Sequence, residues 1–105
     1  MTEPPLSGVR VIEVGNYMAA PFCGMQLADL GAEVIKVENP AGGDNVRHVA
    51  PLVDGEGSAF LRLNRNKRSV ADDLTAEEGK TICRKLAATA DVVVENLRAG
   101  TIKDL

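Results

Sequence analysis

Two β-branched segments flanking one short helical pattern constrain this chain more than any other feature. Val9-Arg10-Val11-Ile12-Glu13-Val14 alternates and follows the turn residues Ser7-Gly8, the pattern of a strand. It ends at Gly15-Asn16. Pro21 suits a first helical turn, where its missing N–H costs nothing. Ala20, Cys23, Leu27 and Leu30 then recur at i, i+3, i+7 and i+10 as one buried helix face. Gly31 stands at the natural end of that helix. Glu33-Val34-Ile35-Lys36-Val37 reads as a second strand. Strand, helix and strand joined by short connections form a βαβ unit, which requires parallel strands and a right-handed crossover.

The pattern continues less regularly. Asn39-Pro40-Ala41-Gly42-Gly43-Asp44 is loop by its turn chemistry, and the stretch from there to Gly57 has no period. Ser58 to Leu63 fits either a short helix or a strand. Arg68-Ser69-Val70-Ala71-Asp72 reads as a third strand. Thr75-Ala76-Glu77-Glu78 has the form of a capping box, opening a helix with Ile82, Cys83, Leu86, Ala87 and Ala90 on its apolar face. Asp91-Val92-Val93-Val94 is a continuous apolar run, expected of a strand covered on both faces. Leu97-Arg98-Ala99-Gly100 opens a further helix that is not completed by Leu105, as expected for the N-terminal part of something longer. The expectation is one partial domain over residues 1–105, with its core over about 8–105.

Composition removes several function classes. At 105 residues the chain fits one small core. Aromatic residues are 3%, being Tyr17, Phe22 and Phe60, too few for a stacked-aromatic nucleic-acid platform. A net charge of −3 argues against a general polyanion or membrane-surface binder. No apolar run approaches the roughly 20 residues of a membrane helix. Met1-Thr2-Glu3-Pro4-Pro5 lacks the basic and apolar order of a signal peptide, so a cytoplasmic location is expected. Cys23 and Cys83 form no metal-ligand spacing, which leaves no metal site. Both fall on helical stripes and are expected to be buried, reduced thiols.

In an alternating α/β chain, ligands sit at the carboxyl ends of the strands. Gly15 is followed by Asn16-Tyr17-Met18-Ala19-Ala20, so the G-x-G-x-x-G dinucleotide fingerprint is absent. Glu38 stands where a ribose-binding acid would stand, or is a solvated strand-end acid. Arg62-Leu63-Asn64-Arg65-Asn66-Lys67-Arg68 concentrates four cations without an acid, either a phosphate-facing cluster or a solvated turn. His48 lies in the irregular loop with no triad partner. Asp72 and Asp73 are adjacent and so point apart in a strand. Glu95-Asn96 follows the most apolar strand and is well placed to face a ligand. No complete catalytic set is present.

Several blocks together resemble a known family. Leu6-Ser7-Gly8-Val9-Arg10-Val11-Ile12-Glu13, Ala20-Pro21 and Leu27 to Glu38 are similar to the family III CoA-transferases. So are Gly42-Gly43-Asp44 with Arg47, Asn64 to Ser69, and Ala90 to Asn96. The family includes formyl-CoA and carnitine-CoA transferases and α-methylacyl-CoA racemases, and the resemblance runs from Leu6 to Leu105. It implies an α/β fold: a Rossmann-like parallel sheet flanked by helices, here the N-terminal portion of the large domain. It implies coenzyme A as the acyl carrier, acyl-CoA and carboxylic acids as small-molecule partners, and an interlinked homodimer. The family's transferases move CoA between acids through an acyl-aspartyl intermediate, splitting one hard exchange into easier steps. Its racemases exchange an α-proton through a His and an Asp.

By the same resemblance, Tyr17, Met18 and Ala19 line the pantetheine and thioester end. Asp72, Asp73, Leu74 and Thr75 bracket the adenine, and Asn96, Leu97 and Arg98 meet the phosphates and adenosine. Where the family often carries a nucleotide-holding arginine, this chain has Asn39; where it usually has an apolar residue, this chain has Asp72. The family's nucleophile corresponds to no residue of this sequence. The implied function is the N-terminal CoA-binding part of a CoA-transferase, inactive alone. The alternatives are a racemase-type enzyme, a CoA- or nucleotide-binding module without chemistry, and a remnant whose apolar faces bury against another chain.

Overall fold

A computed structural model describes residues 2–105; Met1, with which the expected domain begins, lies outside them. Four strands form one parallel sheet: β1 (Arg10–Val14), β2 (Glu33–Glu38), β5 (Lys67–Ala71) and β6 (Val92–Glu95). Their spatial order is β5-β2-β1-β6. Helix α1 (Ala19–Asp29) links β1 to β2, and α3 (Glu77–Ala88) links β5 to β6. A two-strand hairpin, β3 (Leu52–Val53) with β4 (Glu56–Gly57), and the short α2 (Ser58–Leu63) fill the connection between β2 and β5.

The period of two along β1 and β2 divides the core into two layers. Val11 and Val34 pack with Ala28 and Ala32 on the α1 side. Ile12, Val14, Ile35 and Val37 pack with Cys83 on the α3 side. Ile12 is fully buried, which stabilises the fold by about 1.5–3 kcal/mol. The strand order reverses direction between β1 and β6, since β1 leads outward to β2 and β6 returns on its other side. In open α/β sheets the crevice for ligands lies at that point, beyond the strand carboxyl ends.

Both strands of the βαβ unit, the helix between them and the third strand form where the pattern places them, the third strand one residue earlier. Gly31 adopts φ +105° just past α1, a conformation glycine takes without a Cβ clash. Several expectations are corrected. The buried face of α1 is Ala20, Gly24, Met25 and Ala28, while Cys23 is exposed and Leu30 is 46% exposed. Small residues at i, i+4 and i+8 let α1 sit close over the sheet, and a methyl group on Gly24 would overlap Glu13 Oε1. Of the apolar stripe in the sequence, Ala20 is buried and Leu27 packs against the core, while Cys23 and Leu30 turn away from it.

The capping box does not form. Helix α3 begins after Ala76 with no side-chain cap, because Thr75 spends its amide and hydroxyl on Asp73 Oδ1 at 2.9 and 2.6 Å. Strand β6 is an edge strand, not a covered one: Val92 and Val93 are 40% and 44% exposed. The helix expected from Leu97 is a turn followed by a single 3₁₀ turn at Ile102–Asp104. The segment Ser58 to Leu63 is helical, and the segment without period contains a 3₁₀ turn at Asn45–His48.

Candidate functional site

Beyond the carboxyl ends of β1, β2 and β5 lies a crevice of about 470 Å³. Its walls come from three strand-end loops: Val14, Gly15 and Asn16; Val37 to Ala41; and Asp72 to Thr75. Leu97 closes one side. A shallower recess of about 270 Å³ shares Glu38, Asn39 and Pro40 with it and continues to Arg47 and Ser69.

The loop after β1 is held on both flanks. On one, the Asn96 amide grips the backbone of Asn16, Oδ1 accepting from Asn16 N at 3.0 Å and Nδ2 donating to Asn16 O at 2.9 Å. On the other stands a buried row of four charges. The β1–β2 register sets Glu13 opposite Lys36, and Lys36 Nζ lies 2.7 Å from Glu13 Oε2 and 2.9 Å from Asp44 Oδ2. Lys67 Nζ lies 2.6 Å from Glu13 Oε1, an ion pair made by proximity rather than by an aligned hydrogen bond. Two cations and two anions cancel. Asp44 in turn accepts the Tyr17 amide at 3.0 and 3.2 Å and the Val46 amide at 3.0 Å. Tyr17 has φ +77°, a left-handed conformation that costs a bulky residue about 1–3 kcal/mol and persists only where its surroundings hold it.

Glu38, at the end of β2, is buried and fully engaged. It accepts from Arg47 Nε and Nη2, both at 2.8 Å, from the Asp44 amide at 2.9 Å and from the Ser69 hydroxyl. Burial works to raise its pKa, but the Arg47 and Ser69 hydrogen bonds and the Asp44 amide outweigh it and hold the carboxyl down at about 2. It is neither a solvated acid nor free to take a ribose. Arg47 also stacks over Phe60, 3.8 Å from the ring centroid, a cation–π contact.

The basic run proves structural. Lys67 is buried against Glu13, Pro21 O and Asn64. Arg65 pairs with Asp29 at 2.6 Å, Asn66 donates to the same carboxylate, and Arg68 reaches toward Glu33 at 3.8 Å. The cluster looks back at β1, α1 and β2 rather than into the crevice. Burial lowers the Lys67 pKa, against the pull of Glu13.

Of the residues implied by resemblance, Asn39, Asp72, Asp73, Leu74, Thr75 and Leu97 line the crevice. Tyr17, Met18 and Ala19 stand beside it at the start of α1 and are exposed, Tyr17 by 47% and Met18 by 59%. Asn96 acts through Asn16, and Arg98 lies exposed on the bend after Leu97. Asn39 turns its side chain inward onto the Ala41 amide at 2.8 Å, shaping the loop. Asp72 is 6% exposed and its Oδ2 has no hydrogen-bond partner among the described residues. Burial, then the neighbouring Asp73 charge, pushes its pKa up. Asp73 is held down by the Thr75 hydroxyl and amide.

Asn16, Pro40 and Ala41 fall within the strand-end loops 15–20 and 38–44 to which the α/β pattern points, although none was singled out there, and sequence reasoning missed the Glu13–Lys36–Asp44 network entirely. The available signal was the charge inside each of two apolar strands, where alternation alone reads as a solvated face. His48 is exposed and its Nε2 lies 2.9 Å from Gly42 O. Among the described residues, the crevice lining contains no Lys, Arg, His, Ser or Cys, and no group of three or more His, Cys, Asp or Glu is placed to hold a metal. The crevice wall thus offers carboxylate and amide acceptors to a donor-bearing part of a ligand and no cationic partner for a phosphate. No described helix is long and apolar enough to cross a membrane.

Known proteins resemble this chain in sequence and fold. A sequence model of CoA-transferase family III matches residues 6–105. Succinate--glutarate CoA-transferase of Agrobacterium fabrum is 48% identical over 103 residues, covering 91% of this chain and 26% of that protein. Succinyl-CoA:glutarate CoA-transferase of Mus musculus is 45% identical over 102 residues, covering 96% and 23%. Among solved structures, a CAIB/BAIF family protein from Brucella suis superposes with a TM-score of 0.89 at 42% identity, over 98% of this chain and 28% of that one. The chain thus spans about a quarter of the length of the relatives it matches. The match spans the β1–α1–β2 unit, the Glu38–Arg47 pair, the basic run folded back on β1, and the crevice loops alike, and the chain belongs to CoA-transferase family III.

Proposed function

We propose that this chain is the coenzyme A-holding part of a CoA-transferase that passes CoA between carboxylic acids in the cytoplasm. The observation that carries the reading is the crevice at the open ends of β1, β2 and β5, bordered on the β6 side by Leu97. Asp72 to Thr75 and Leu97 would seat the adenosine end, with the orphaned Asp72 oxygen beside it. Tyr17, Met18 and Ala19 would flank the pantetheine arm as it leaves toward the thioester. Asn96 would keep its place through Asn16, and Asn39 through its hold on Ala41.

Because the crevice lining carries no cation, the phosphates of CoA would lie outside it, near Arg98. Acyl transfer through an aspartyl intermediate would use a carboxylate outside this chain, and an interlinked homodimer would be the working assembly. The Agrobacterium and mouse relatives carry the names of CoA-transferases acting on succinate and glutarate, which favours transfer over racemisation.

Calorimetric titration of CoA into the 105-residue protein at low and high salt tests the reading. Saturable heat that weakens only modestly with salt is expected, as is no acyl exchange by this chain alone. Absence of heat at millimolar CoA overturns the binding role, and turnover by these residues overturns the placement of the nucleophile.

A further inference from the structure

We propose that the buried charge row Lys67–Glu13–Lys36–Asp44 is a positioning device for Tyr17, with Asp44 fixing the left-handed turn that presents the tyrosine beside the crevice. The four side chains are 2%, 0%, 1% and 0% exposed. A buried ion pair is weak evidence of stabilisation, since apolar residues of the same volume do as well. What distinguishes this row is where it ends. Lys36 Nζ donates to Gly15 O at 3.3 Å, Asp44 accepts the Tyr17 amide, and Lys67 Nζ donates to Pro21 O at 2.9 Å. Two backbone points on the loop between β1 and α1, and a third in the first turn of α1, are thus tied to charges rooted in β2, β5 and the loop after β2.

Between those points Tyr17 holds a φ of +77° that its own side chain disfavours. Among the described residues no other group takes the Tyr17 amide. The tyrosine ring, 47% exposed, is therefore set by a carboxylate that itself never meets solvent. Lys67 brings the basic run into the same device, which gives that run a role in the site although it faces away from the crevice. The link to ligand binding rests on the proposed CoA role; the positioning of Tyr17 does not.

The chain contains one tyrosine and no tryptophan, so its intrinsic emission reports Tyr17 alone. In the unmodified protein, hydrogen exchange at the Tyr17 amide is expected to be slower than at unbonded amides of the same loop by about tenfold or more. Asp44→Asn keeps the shape and one acceptor but loses the charge. It is expected to lower the Tyr17 fluorescence anisotropy, speed exchange at that amide about tenfold and weaken CoA about tenfold, with the Val11 and Ile12 amides unchanged. An unprotected Tyr17 amide in the unmodified protein overturns the proposal, as does an Asp44→Asn variant that loosens Tyr17 and β1 equally. If Asp44→Asn does not fold, the exchange rate of the unmodified protein decides. A loosened Tyr17 with unchanged CoA affinity overturns the link to binding. Failure of the unmodified protein to bind CoA overturns the ligand and leaves the exchange and anisotropy results to judge the positioning.

Discussion

Asn96 and Asn16 form a two-way amide clasp across the gap between β6 and β1, the side chain of one reproducing for the other the pairing a strand neighbour would give. It sits where the ladder of β1 and β6 stops at Val14 and Glu95, so it extends the ladder into the crevice wall. Asn96→Ala hands both solvent-exposed Asn16 groups back to water and is expected to cost about 0.5–1.5 kcal/mol. Asn96→Asp keeps only the acceptor and is expected to fall between. Urea unfolding of the three proteins checks the order.

Acid stability turns on Glu38. Its carboxyl sits at about 2 in the fold against an ordinary 4.5, so the folded state binds its proton later than the unfolded chain does. The resulting stability is present above about pH 4.5 and drains away as pH falls toward 2. Allowing for the partly solvated Arg47, it amounts to roughly 1–3 kcal/mol. Glu38→Gln is expected to lose stability at pH 7 and to flatten the acid limb. Thermal melts at intervals from pH 2 to 7 would show it; an unchanged acid limb would refute it.

Asp72 runs the other way. Its buried oxygen without a partner opposes folding whenever the carboxyl is ionised, since burial raises its folded pKa. Ionisation above the unfolded value therefore removes stability. Asp72→Leu is expected to raise neutral-pH stability by about 1–2 kcal/mol, with the gain shrinking at acid pH. Chemical denaturation at pH 3 and pH 7 separates the two.

Within the basic run, position and not charge decides the outcome. Lys67→Met strands Glu13 Oε1 in the interior and is expected to cost about 3–5 kcal/mol. Arg65→Ala removes a solvent-facing pair with Asp29 and is expected to leave the melting temperature nearly unchanged. Neither is expected to flatten the salt dependence of CoA binding, as loss of a phosphate contact would.

Close packing at Gly24 supplies a last test. A methyl group there meets the Glu13 carboxylate, so Gly24→Ala is expected to destabilise by about 1–3 kcal/mol, against the roughly 1 kcal/mol gain of alanine at an open helical site. Circular dichroism melts give the sign directly.

The βαβ unit was legible because its strands carry β-branched residues at a period that only a strand satisfies, and because Pro21 and Gly31 punctuate the helix between them. The face of α1 is set by small residues that let the helix close over the Glu13 carboxylate, and buried charges such as Glu13 and Lys36 look identical to solvated ones in a one-dimensional pattern. The capping box failed for a local reason, Asp73 competing for Thr75. The crevice was legible as a set of strand-end loops, while the contributions of Asn16, Pro40 and Ala41 depended on how the loops close in space. Four cations left the basic run open between a phosphate-facing cluster and a solvated turn, and only the β2–β5 register turns Lys67 inward.

The two margins of the sheet are not equivalent. Strand β5 exposes Arg68, its side chain 76% accessible, along its free border, and such a charge discourages a further strand from docking. Strand β6 offers Val92 and Val93 with no charge between them. Growth of the sheet, whether by another segment or by a neighbouring molecule in a concentrated sample, is thereby channelled to the side nearest Asn96, so that whatever adds there would come to rest against the crevice wall.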